Sequence, residues 1–586
     1  MDIAELRAQA ERWIADDSDP TAQAELRAVL AQPDLASTDL VDRFAGALEF
    51  GTAGLRGVLG AGPNRMNRAV VARATWGLAQ EILTSVPKAQ TRGVVVGGDA
   101  RRMSREFSED VAAILAQAGL PVLLFSAPVP TPLVGFAVKR LGAAAGVVIT
   151  ASHNPPEYNG YKVYWENAAQ IVPPVDARIA AAIDRAPPAR AIARPPLDPL
   201  MADHRIKRPP EDLERVYLAE LRKLAVHPST GDRSVAIVYT PMHGVGDELA
   251  RQALRQAGFV SVTSVPEQQK PDGAFPTVAF PNPEEAGAMD LALALAKETR
   301  AELVLANDPD ADRLAVAAAQ HGGYRQLTGN EVGVLLGHYL LTEKSVLTPA
   351  PQGRAVLASL VSSPLLGRIA TDLGVYYEET LTGFKWISNR AIELERQGYE
   401  FVFGYEEALG YCVDSVVRDK DGISAALLAA ELVAVLRSRG LTLFDQLDAI
   451  SRRWGVFLSA QVNVKRKGAS GMAAIRAMMS ALRASAPSHV GDDEVVAVAD
   501  YETRIRKDLR SARTSALWLP ESNVLAYELA SGSRIVARPS GTEPKAKYYF
   551  DVLDRVHEKE PVGQARERAT AKLERLKDAF QSIARV

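Results

Sequence analysis

Short apolar runs alternate with helical segments through most of the chain, and this alternation limits the possible folds more than any other feature. In the first part of the sequence we predict strands at 93–96, 122–125 and 143–149, and helices at 70–84 and 108–117. Strands that alternate with helices favour a mostly parallel sheet with helices on both faces. Ligands of such sheets bind beyond the carboxyl ends of the strands, so we expect the functional loops there.

The length and the changes in pattern predict several domains. At about 150 residues per domain, 586 residues suggest about four domains. The hydrophobic share of 47% is ordinary for a globular protein and is enough to give each domain its own core. We expect an N-terminal helical extension, three α/β domains and a C-terminal domain, at 1–45, 46–210, 211–325, 326–454 and 455–586.

Charge, cysteine content and hydropathy exclude several classes of protein. The 68 basic and 71 acidic residues give a net charge of −3, so no polybasic face for nucleic acid is expected. The single cysteine, Cys412, excludes an intramolecular disulfide, and its apolar neighbours predict a buried thiol. The longest apolar stretch, 423–436, contains Ser424 and Glu431 and is too short and too polar to span a membrane. We expect a cytoplasmic protein, and leave its oligomeric state open between monomer and dimer.

A hydroxyl-bearing loop follows the apolar run 143–149. Its sequence is Thr-Ala-Ser-His-Asn-Pro-Pro at 150–156, and the two prolines stiffen it because proline fixes φ. The Asn-Gly pair at 159–160 is a turn signal that brings Lys162 back towards the loop. A plain polar loop is the alternative, but the length of the run favours an exposed, reactive Ser152.

An acidic loop follows the strand predicted at 302–306. Carboxylates at alternate positions of an extended loop project to one side, and such hard oxygen ligands suit Mg²⁺. An EF-hand would need glycine and glutamate where Arg313 and Ala319 stand, so that interpretation fails. A solvated acidic turn remains the alternative, but the flanking apolar strands and Pro309 favour a metal site. Its ligands would be Asp308, Asp310 and Asp312.

Three glycine-bearing loops each carry one charged side chain of interest. Arg56 lies in 51–57, where closely spaced glycines could admit an anion or could form only a tight turn. Lys385 has aromatic and apolar neighbours, which could lower its pKa and allow proton transfer. Glu406, in 404–410, could chelate vicinal sugar hydroxyls or could belong to an ordinary turn.

A phosphate-binding loop is predicted near the C-terminus. Residues 538–545 read Arg-Pro-Ser-Gly-Thr-Glu-Pro-Lys and follow a predicted strand. An arginine, two hydroxyls, a glycine and nearby lysines are suited to cradle a phosphate. The candidate ligands are Arg538, Ser540, Gly541, Thr542 and Lys547.

Four of these motifs together resemble the α-D-phosphohexomutase family, which contains phosphoglucomutases and phosphomannomutases. They occur in the order of the family, at 150–156, 308–313, 404–410 and 538–544, and the resemblance covers nearly the whole chain from about Phe50. It implies a heart-shaped enzyme with a central active-site cleft. Three consecutive α/β sandwich domains of similar topology would precede a smaller C-terminal α+β domain.

The resemblance also implies a role for each candidate residue. Ser152 would be the phosphoserine that passes its phosphoryl group to a sugar phosphate and recovers one from the bisphosphorylated intermediate. Mg²⁺ would be held by that serine and the three aspartates, and Arg313 would neutralise the phosphate. Arg56, Lys162 and Lys385 would supply positive charge, with either lysine as the acid–base group. His153 would steady the serine loop, Glu406 would bind sugar hydroxyls, and the loop at 538–547 would bind the second phosphate.

The expected reaction is the interconversion of glucose 1-phosphate and glucose 6-phosphate, with glucose 1,6-bisphosphate as activator. Tyr405 and Ala408 stand where many glucose-specific members of the family have glycine and serine. The loop therefore resembles that of a longer subgroup, which also contains phosphopentomutases and sugar-bisphosphate synthases. A phosphomannomutase, a phosphopentomutase or a bisphosphate synthase thus remains an alternative.

Overall fold

Four β-sheets follow one another along the chain, each with its own helices. The computed structural model describes residues 3–35, 38–51, 54–229, 231–344, 350–465, 469–539 and 545–584. The predicted fold class is confirmed, because three α/β domains precede a C-terminal α+β domain. Within the described ranges, no helix is both long enough and apolar enough to cross a bilayer. The cytoplasmic location stays a prediction.

The N-terminal extension is helical. The second helix starts where Asp19 caps it by accepting a hydrogen bond from the Thr21 backbone at 3.0 Å, with Pro20 in the first turn. Leu6, Leu26 and Phe44 form a small separate core between the helices. The elements are α1 (Ile3–Asp16), α2 (Pro20–Leu30) and α3 (Leu40–Phe44).

The first domain has a six-stranded sheet in the order β1-β5-β4-β2-β3-β6. Its elements are β1 (Leu55–Val58), α4 (Arg68–Ser85), α5 (Ala89–Arg92), β2 (Val94–Gly98), α6 (Ser104–Gln117), β3 (Val122–Leu124), α7 (Thr131–Leu141), β4 (Ala145–Ile149), β5 (Tyr158–Tyr164), α8 (Val175–Asp184), α9 (Leu197–Ala202) and β6 (Ile206–Lys207). The sheet is mostly parallel, as predicted, and is mixed because β5, alone of its six described strands, runs against the others and pairs antiparallel with both β4 and β1. The proline-rich stretch 187–210 is not a simple linker, since β6 within it joins the sheet beside β3.

The second domain has a five-stranded sheet in the order β11-β10-β9-β7-β8. Its elements are α10 (Leu213–Lys223), β7 (Ile237–Thr240), α11 (Asp247–Gln256), β8 (Val262–Ser264), α12 (Asp290–Thr299), β9 (Leu303–Ala306), β10 (Ala315–Gln320) and β11 (Gly323–Gln326). The acidic loop connects the antiparallel strands β9 and β10. It packs against Gly244, where a Cβ would lie 2.3 Å from Pro309 Cα, so glycine is required there for close approach.

The third domain has a four-stranded sheet in the order β13-β12-β14-β15. Its elements are α13 (Gly329–Glu343), β12 (Arg354–Ser359), α14 (Leu365–Asp372), β13 (Tyr376–Thr380), α15 (Phe384–Arg396), β14 (Glu400–Glu406), β15 (Gly410–Val413), α16 (Gly422–Ser438) and α17 (Leu443–Trp454). The long apolar stretch forms α16, which is buried on nearly all sides, as a helix apolar all round should be. Helix α16 shares one continuous core with the first two domains.

The fourth domain is an antiparallel sheet with two helices and a core of its own. Its elements are β16 (Val456–Lys465), α18 (Ala469–Ala484), β17 (His489–Val490), β18 (Asp493–Asp500), β19 (Ile505–Asp508), β20 (Thr514–Ala516), β21 (Leu525–Leu529), β22 (Arg534–Pro539), β23 (Lys545–Asp554) and α19 (Val562–Ile583). A second apolar cluster, which includes Leu360, Leu381 and Tyr549, joins this domain to the third.

Candidate active site

Ser152 lies on the loop between β4 and β5, and it is buried rather than exposed as predicted. Only 2% of its surface is accessible, because the acidic loop of the second domain covers it. Its Oγ donates a hydrogen bond to Asp308 Oδ2 at 2.7 Å and lies 3.1 Å from His153 Nδ1. The backbone at Ser152 has φ of +52°, in the left-handed region that non-glycine residues seldom adopt. The loop thus holds the hydroxyl against a carboxylate.

His153 is a neutral neighbour of that hydroxyl. Its ring stacks on Phe280 of the second domain, with centroids 6.2 Å apart. Burial, and then the charges of Arg313 and Arg56, lower the pKa of His153 well below its ordinary value. Because the serine proton is directed at Asp308, a neutral imidazole with its proton on Nδ1 can donate a hydrogen bond to Ser152 Oγ, which agrees with the proposed steadying role.

The three aspartates of the acidic loop converge as predicted. Asp308, Asp310 and Asp312 are fully buried, and their carboxylate oxygens lie within 4.8 Å of one another. Thr131, at the start of α7, donates its hydroxyl to Asp310 Oδ2 at 2.8 Å and its backbone N–H to the Asp310 carbonyl. Thr131 was missed by the sequence reasoning, and no motif marks it.

Two lysines balance the carboxylates. Lys162 Nζ lies 2.7 Å from Asp310 and 2.9 Å from Asp312, and Lys420 Nζ lies 2.5 Å from Asp312. Burial alone would raise the pKa of Asp312, but both lysines overcome this and hold that pKa well below its ordinary value. The aspartates likewise raise the pKa of Lys162 against the effect of burial. Sequence reasoning missed Lys420, although the charged run 418–421 before the apolar helix α16 was a usable signal.

The chemistry of the triad fits a hard divalent cation. Asp310 Oδ1 and Asp312 Oδ1 are buried and have no hydrogen-bond partner among the described residues. Buried carboxylate oxygens rarely stay unpaired, so these atoms are available as ligands. Burial, with Asp310 and Asp312 nearby, raises the pKa of Asp308 well above its ordinary value. A cation at the triad would offset this crowding of negative charge, and an all-oxygen donor set suits Mg²⁺.

Arg313 connects the acidic loop to the predicted sugar loop. Its Nη1 donates to the Ala408 carbonyl at 2.6 Å, and the next residue, Leu314, donates its N–H to the Leu409 carbonyl at 3.0 Å. Its Nε lies 3.9 Å from Asp308, the carboxylate that accepts the Ser152 hydroxyl, and 3.8 Å from Asp312. These contacts fix the Arg313 guanidinium beside the carboxylates, where the negative charge of the site is concentrated.

Glu406 and Lys385 lie together in the third domain. Glu406 Oε1 accepts a hydrogen bond from the Gly383 N–H at 2.7 Å, which joins the two predicted loops. Burial, with Glu407 nearby, raises the pKa of Glu406. Burial lowers the pKa of Lys385 to about 8; Asp176 opposes this shift and Arg538 adds to it. This lysine can therefore exchange a proton near neutral pH.

The remaining predicted groups lie at the edges of the cleft. Arg56 keeps an exposed side chain, and its Nη1 donates to Asn154 Oδ1 of the serine loop at 3.2 Å. Arg538 and Lys547 are opposite one another on β22 and β23. Burial, and then Lys545, lower the pKa of Lys547. Three candidates lie outside the described residues: Ser540, Gly541 and Thr542.

A cavity of about 350 Å³ opens between the third and fourth domains beside the sugar loop. Glu284 of the second domain, Glu407 and Tyr549 line it. Its lining includes Glu407 and Leu409 of the sugar loop and Tyr549 of β23, the strand that carries Lys547. The site thus brings together a serine that is hydrogen-bonded to a carboxylate, an acidic triad and several cations. These are the groups that phosphoryl transfer requires.

Comparison with known proteins matches three successive parts of the chain to one family. Residues 47–190, 215–322 and 328–452 match the descriptions "Phosphoglucomutase/phosphomannomutase, alpha/beta/alpha domain" I, II and III. The phosphopentomutase of Pongo abelii is 37% identical over 570 residues, which cover 94% of this chain and 92% of that protein. The "Probable phosphomannomutase" of Haemophilus influenzae is 41% identical over 491 residues, which cover 83% of this chain and 93% of that protein.

A solved structure supports the fold independently. A phosphoglucomutase/phosphomannomutase family protein from Burkholderia thailandensis superimposes with a TM-score of 0.64. The match covers 91% of this chain and 96% of that one at 20% sequence identity, so it bears on the fold alone.

Proposed function

Because the chain belongs to the phosphoglucomutase/phosphomannomutase family and is a phosphosugar mutase, we propose that it interconverts glucose 1-phosphate and glucose 6-phosphate. The phosphoryl carrier in this proposal is Ser152, and glucose 1,6-bisphosphate is both the intermediate and the activator. The observation that supports it best is the 2.7 Å hydrogen bond from Ser152 Oγ to Asp308. That bond places a nucleophilic hydroxyl directly on the candidate metal triad.

The reaction then consists of two phosphoryl transfers. In the first, a sugar hydroxyl attacks phosphoserine 152, so that a sugar O–P bond forms while the Oγ–P bond breaks. The proton of the sugar hydroxyl goes to a base, and Ser152 recovers a proton. In the second, the intermediate has turned, and Ser152 Oγ attacks the other phosphoryl group, so that an Oγ–P bond forms while that sugar O–P bond breaks. The serine proton goes to a base, and an acid returns a proton to the sugar oxygen.

Positioning and charge neutralisation are the main demands of such transfers. Mg²⁺ on Asp308, Asp310 and Asp312 would supply Lewis acidity towards the phosphoryl oxygens. Arg313 lies beside the triad, and Arg56 on β1 donates to Asn154 of the serine loop, so both cations can balance charge near Ser152. Within the proposal, Arg538 and Lys547 bind the phosphate that is not transferred.

Lys385 is the group that we propose for proton transfer. Its pKa of about 8 lets it lose and regain a proton near neutral pH, and it lies close enough to Glu406 for the two charges to interact. Lys162, the other candidate, is held between Asp310 and Asp312 and is better suited to keep the triad in place. Replacing each lysine in turn and comparing pH–rate profiles distinguishes the two.

The proposal is tested by replacing Ser152 with alanine. Ser152→Ala should abolish turnover in a coupled assay for glucose 6-phosphate and abolish transfer of ³²P from labelled bisphosphate to the protein. Ser108→Ala is a matched control, because Ser108 is also buried in the first domain but donates only to the Ser104 carbonyl. Full activity in Ser152→Ala would contradict the proposal.

A phosphopentomutase is the second candidate, since the Pongo abelii protein of that name matches nearly the whole chain. Tyr405 does not decide between the sugars, because it is fully buried and its hydroxyl lies 3.2 Å from Asn330 and from the Ser363 carbonyl. Comparing kcat/KM for the 1-phosphates of glucose, mannose and ribose, with a trace of bisphosphate, tests the choice. Accumulation of bisphosphate during that assay would instead indicate a bisphosphate synthase.

A further inference from the structure

Arg101 holds the serine loop from beneath through four main-chain contacts. It follows β2, and its side chain is fully buried. Its two terminal nitrogens donate to the carbonyls of Ser152 at 2.6 Å, Asn154 at 2.5 Å, Pro155 at 2.8 Å and Tyr158 at 3.2 Å. A guanidinium that is directed at four carbonyls of one loop fixes the shape of that loop, since each contact is charge-assisted.

Asp99, two residues before Arg101, also supports the serine loop. Its Oδ2 accepts the Thr150 hydroxyl at 2.7 Å and lies 3.3 Å from Arg101 Nε. The Thr150 oxygen in turn accepts the backbone N–H of Ser152 at 2.8 Å. Asp99 therefore holds the N–H of Ser152 through the Thr150 hydroxyl, and Arg101 holds the carbonyl of Ser152 directly.

The second domain covers Arg101 from the other side. The Phe275 ring lies 4.8 Å from the guanidinium carbon, in a cation–π arrangement. At Gly273, a Cβ would lie 2.6 Å from the Ala100 carbonyl oxygen and 2.8 Å from Arg101 Cα, so the two backbones are in direct contact. The same domain carries the acidic triad. Arg101 thus lies between the loop that bears the serine and the domain that bears its carboxylate partner.

We propose that Arg101 is a positioning residue that aligns Ser152 for phosphoryl transfer. The inference rests on the proposed role of Ser152 as phosphoryl carrier. Ser152 has a positive φ, a backbone conformation that persists only where the surroundings enforce it. Arg101 makes its direct hydrogen bonds to main-chain carbonyls of the loop, while the charges of Asp310 and Asp308 reach it only through space. Arg101→Lys keeps the positive charge and removes the fork of donors, so it isolates the effect of the loop contacts. A displacement of about 1 Å in such an alignment costs about 100-fold in rate.

A purely structural arginine would behave differently from a positioning one. Loss of a structural group lowers the fraction of folded, competent molecules but leaves the rate constant of the remaining molecules unchanged. Loss of a positioning group lowers the rate constant in molecules that are folded and can still be phosphorylated. A single-turnover measurement separates the two, because the amplitude reports the competent fraction and the rate constant reports alignment.

The test is single-turnover transfer of ³²P from labelled glucose 1,6-bisphosphate to the dephosphorylated full-length protein. The wild type is measured first, and absence of label there would count against the proposed function and not against Arg101. The variants are Arg101→Lys, Arg101→Met and Phe275→Leu. Arg105→Met is the matched control, because Arg105 belongs to the adjacent helix but is exposed and pairs only with Glu109.

We expect rate constants lower by about 10-fold in Arg101→Lys and about 100-fold in Arg101→Met, with amplitudes near the wild-type value. Phe275→Leu should be slower by several-fold, Arg105→Met should match the wild type, and KM for the sugar phosphate should change little. If Arg101→Met does not fold, Arg101→Lys and Phe275→Leu decide the question. Rate constants within twofold of the wild type in both of these variants would overturn the proposal, whatever their amplitudes.

Discussion

Replacing Arg534 with methionine should loosen the fourth domain from the third. Its Nη1 donates to both Glu379 oxygens at 2.8 and 3.0 Å, and its Nη2 donates to the Ser362 carbonyl at 2.7 Å and to Asp551 at 3.0 Å. Asp551 belongs to the fourth domain and is 3% exposed at its side chain, whereas Glu379 and Ser362 belong to the third. Removing one partner of a buried ion pair lowers stability by about 3–5 kcal/mol, because the remaining charge stays buried without its partner. Since Glu379 is 25% exposed, we expect the lower end of this range.

Arg506 provides a matched control within the same domain. It forms a bidentate pair with Glu528, with both contacts at 2.7 Å, but the two side chains are 35% and 39% exposed and lie within the fourth domain. An exposed pair of this kind contributes at most about 1 kcal/mol. Arg506→Met therefore removes a bidentate arginine–carboxylate pair, like that between Arg534 and Glu379, without opening a domain interface.

Hydrogen exchange read by mass spectrometry is the suitable assay, because a single unfolding free energy is poorly defined for a chain of several domains. In Arg534→Met, the opening free energy of β21–β23 should fall by about 3 kcal/mol, against at most about 1 kcal/mol in Arg506→Met. KM for the sugar phosphate should rise in Arg534→Met, since this domain carries the proposed phosphate ligands. Equal changes in the two variants would refute the assignment of Arg534 as the interdomain contact.

Three further predictions concern the site itself. Asp310→Asn should raise the Mg²⁺ concentration needed for half-maximal activity by at least about tenfold, measured by metal titration of the chelated enzyme. With Lys385 at a pKa of about 8 and active as the free base, kcat should rise with pH and level above pH 8; a flat profile from pH 6 to 9 would exclude this role. Glu406→Gln should raise KM by roughly 10- to 100-fold, as expected for loss of a charged hydrogen bond to substrate, and an unchanged KM would contradict sugar binding there.

The alternation of strands and helices was enough to predict the fold class, because buried strands and amphipathic helices have distinct local patterns. The helix predicted at 70–84 forms as α4, Arg68–Ser85. The short edge strand β6 was not predictable in this way. Strand β6 has only two residues, in a proline-rich stretch, and exists because its backbone pairs with β3 across a long separation in sequence.

In the candidate site, too, residues within contiguous motifs were predictable, and contacts between distant parts of the chain were not. Ser152 and the three aspartates were found because each lies in a contiguous motif. The burial of Ser152 was missed, because the covering residue, Asp308, lies 156 positions away. Lys420 was missed for a similar reason, since it reaches Asp312 across 108 positions and its own motif shows only a charged run before a helix. Pairwise contacts of this range leave no periodic signal in one sequence.

The acidic loop is the part of the second domain on which the first and third domains converge. The first domain reaches it through Ser152 and Lys162, and the third through Lys420 and the loop at 404–410. The three carboxylates there, with Asp419 3.7 Å from Lys420, face three cations, Lys162, Lys420 and Arg313, so the protein's own formal charges nearly cancel. A phosphoserine brings close to two negative charges and a divalent cation brings two positive ones. Binding both preserves the balance, whereas binding either alone disturbs it, so metal and phosphoryl group should stabilise each other at this site.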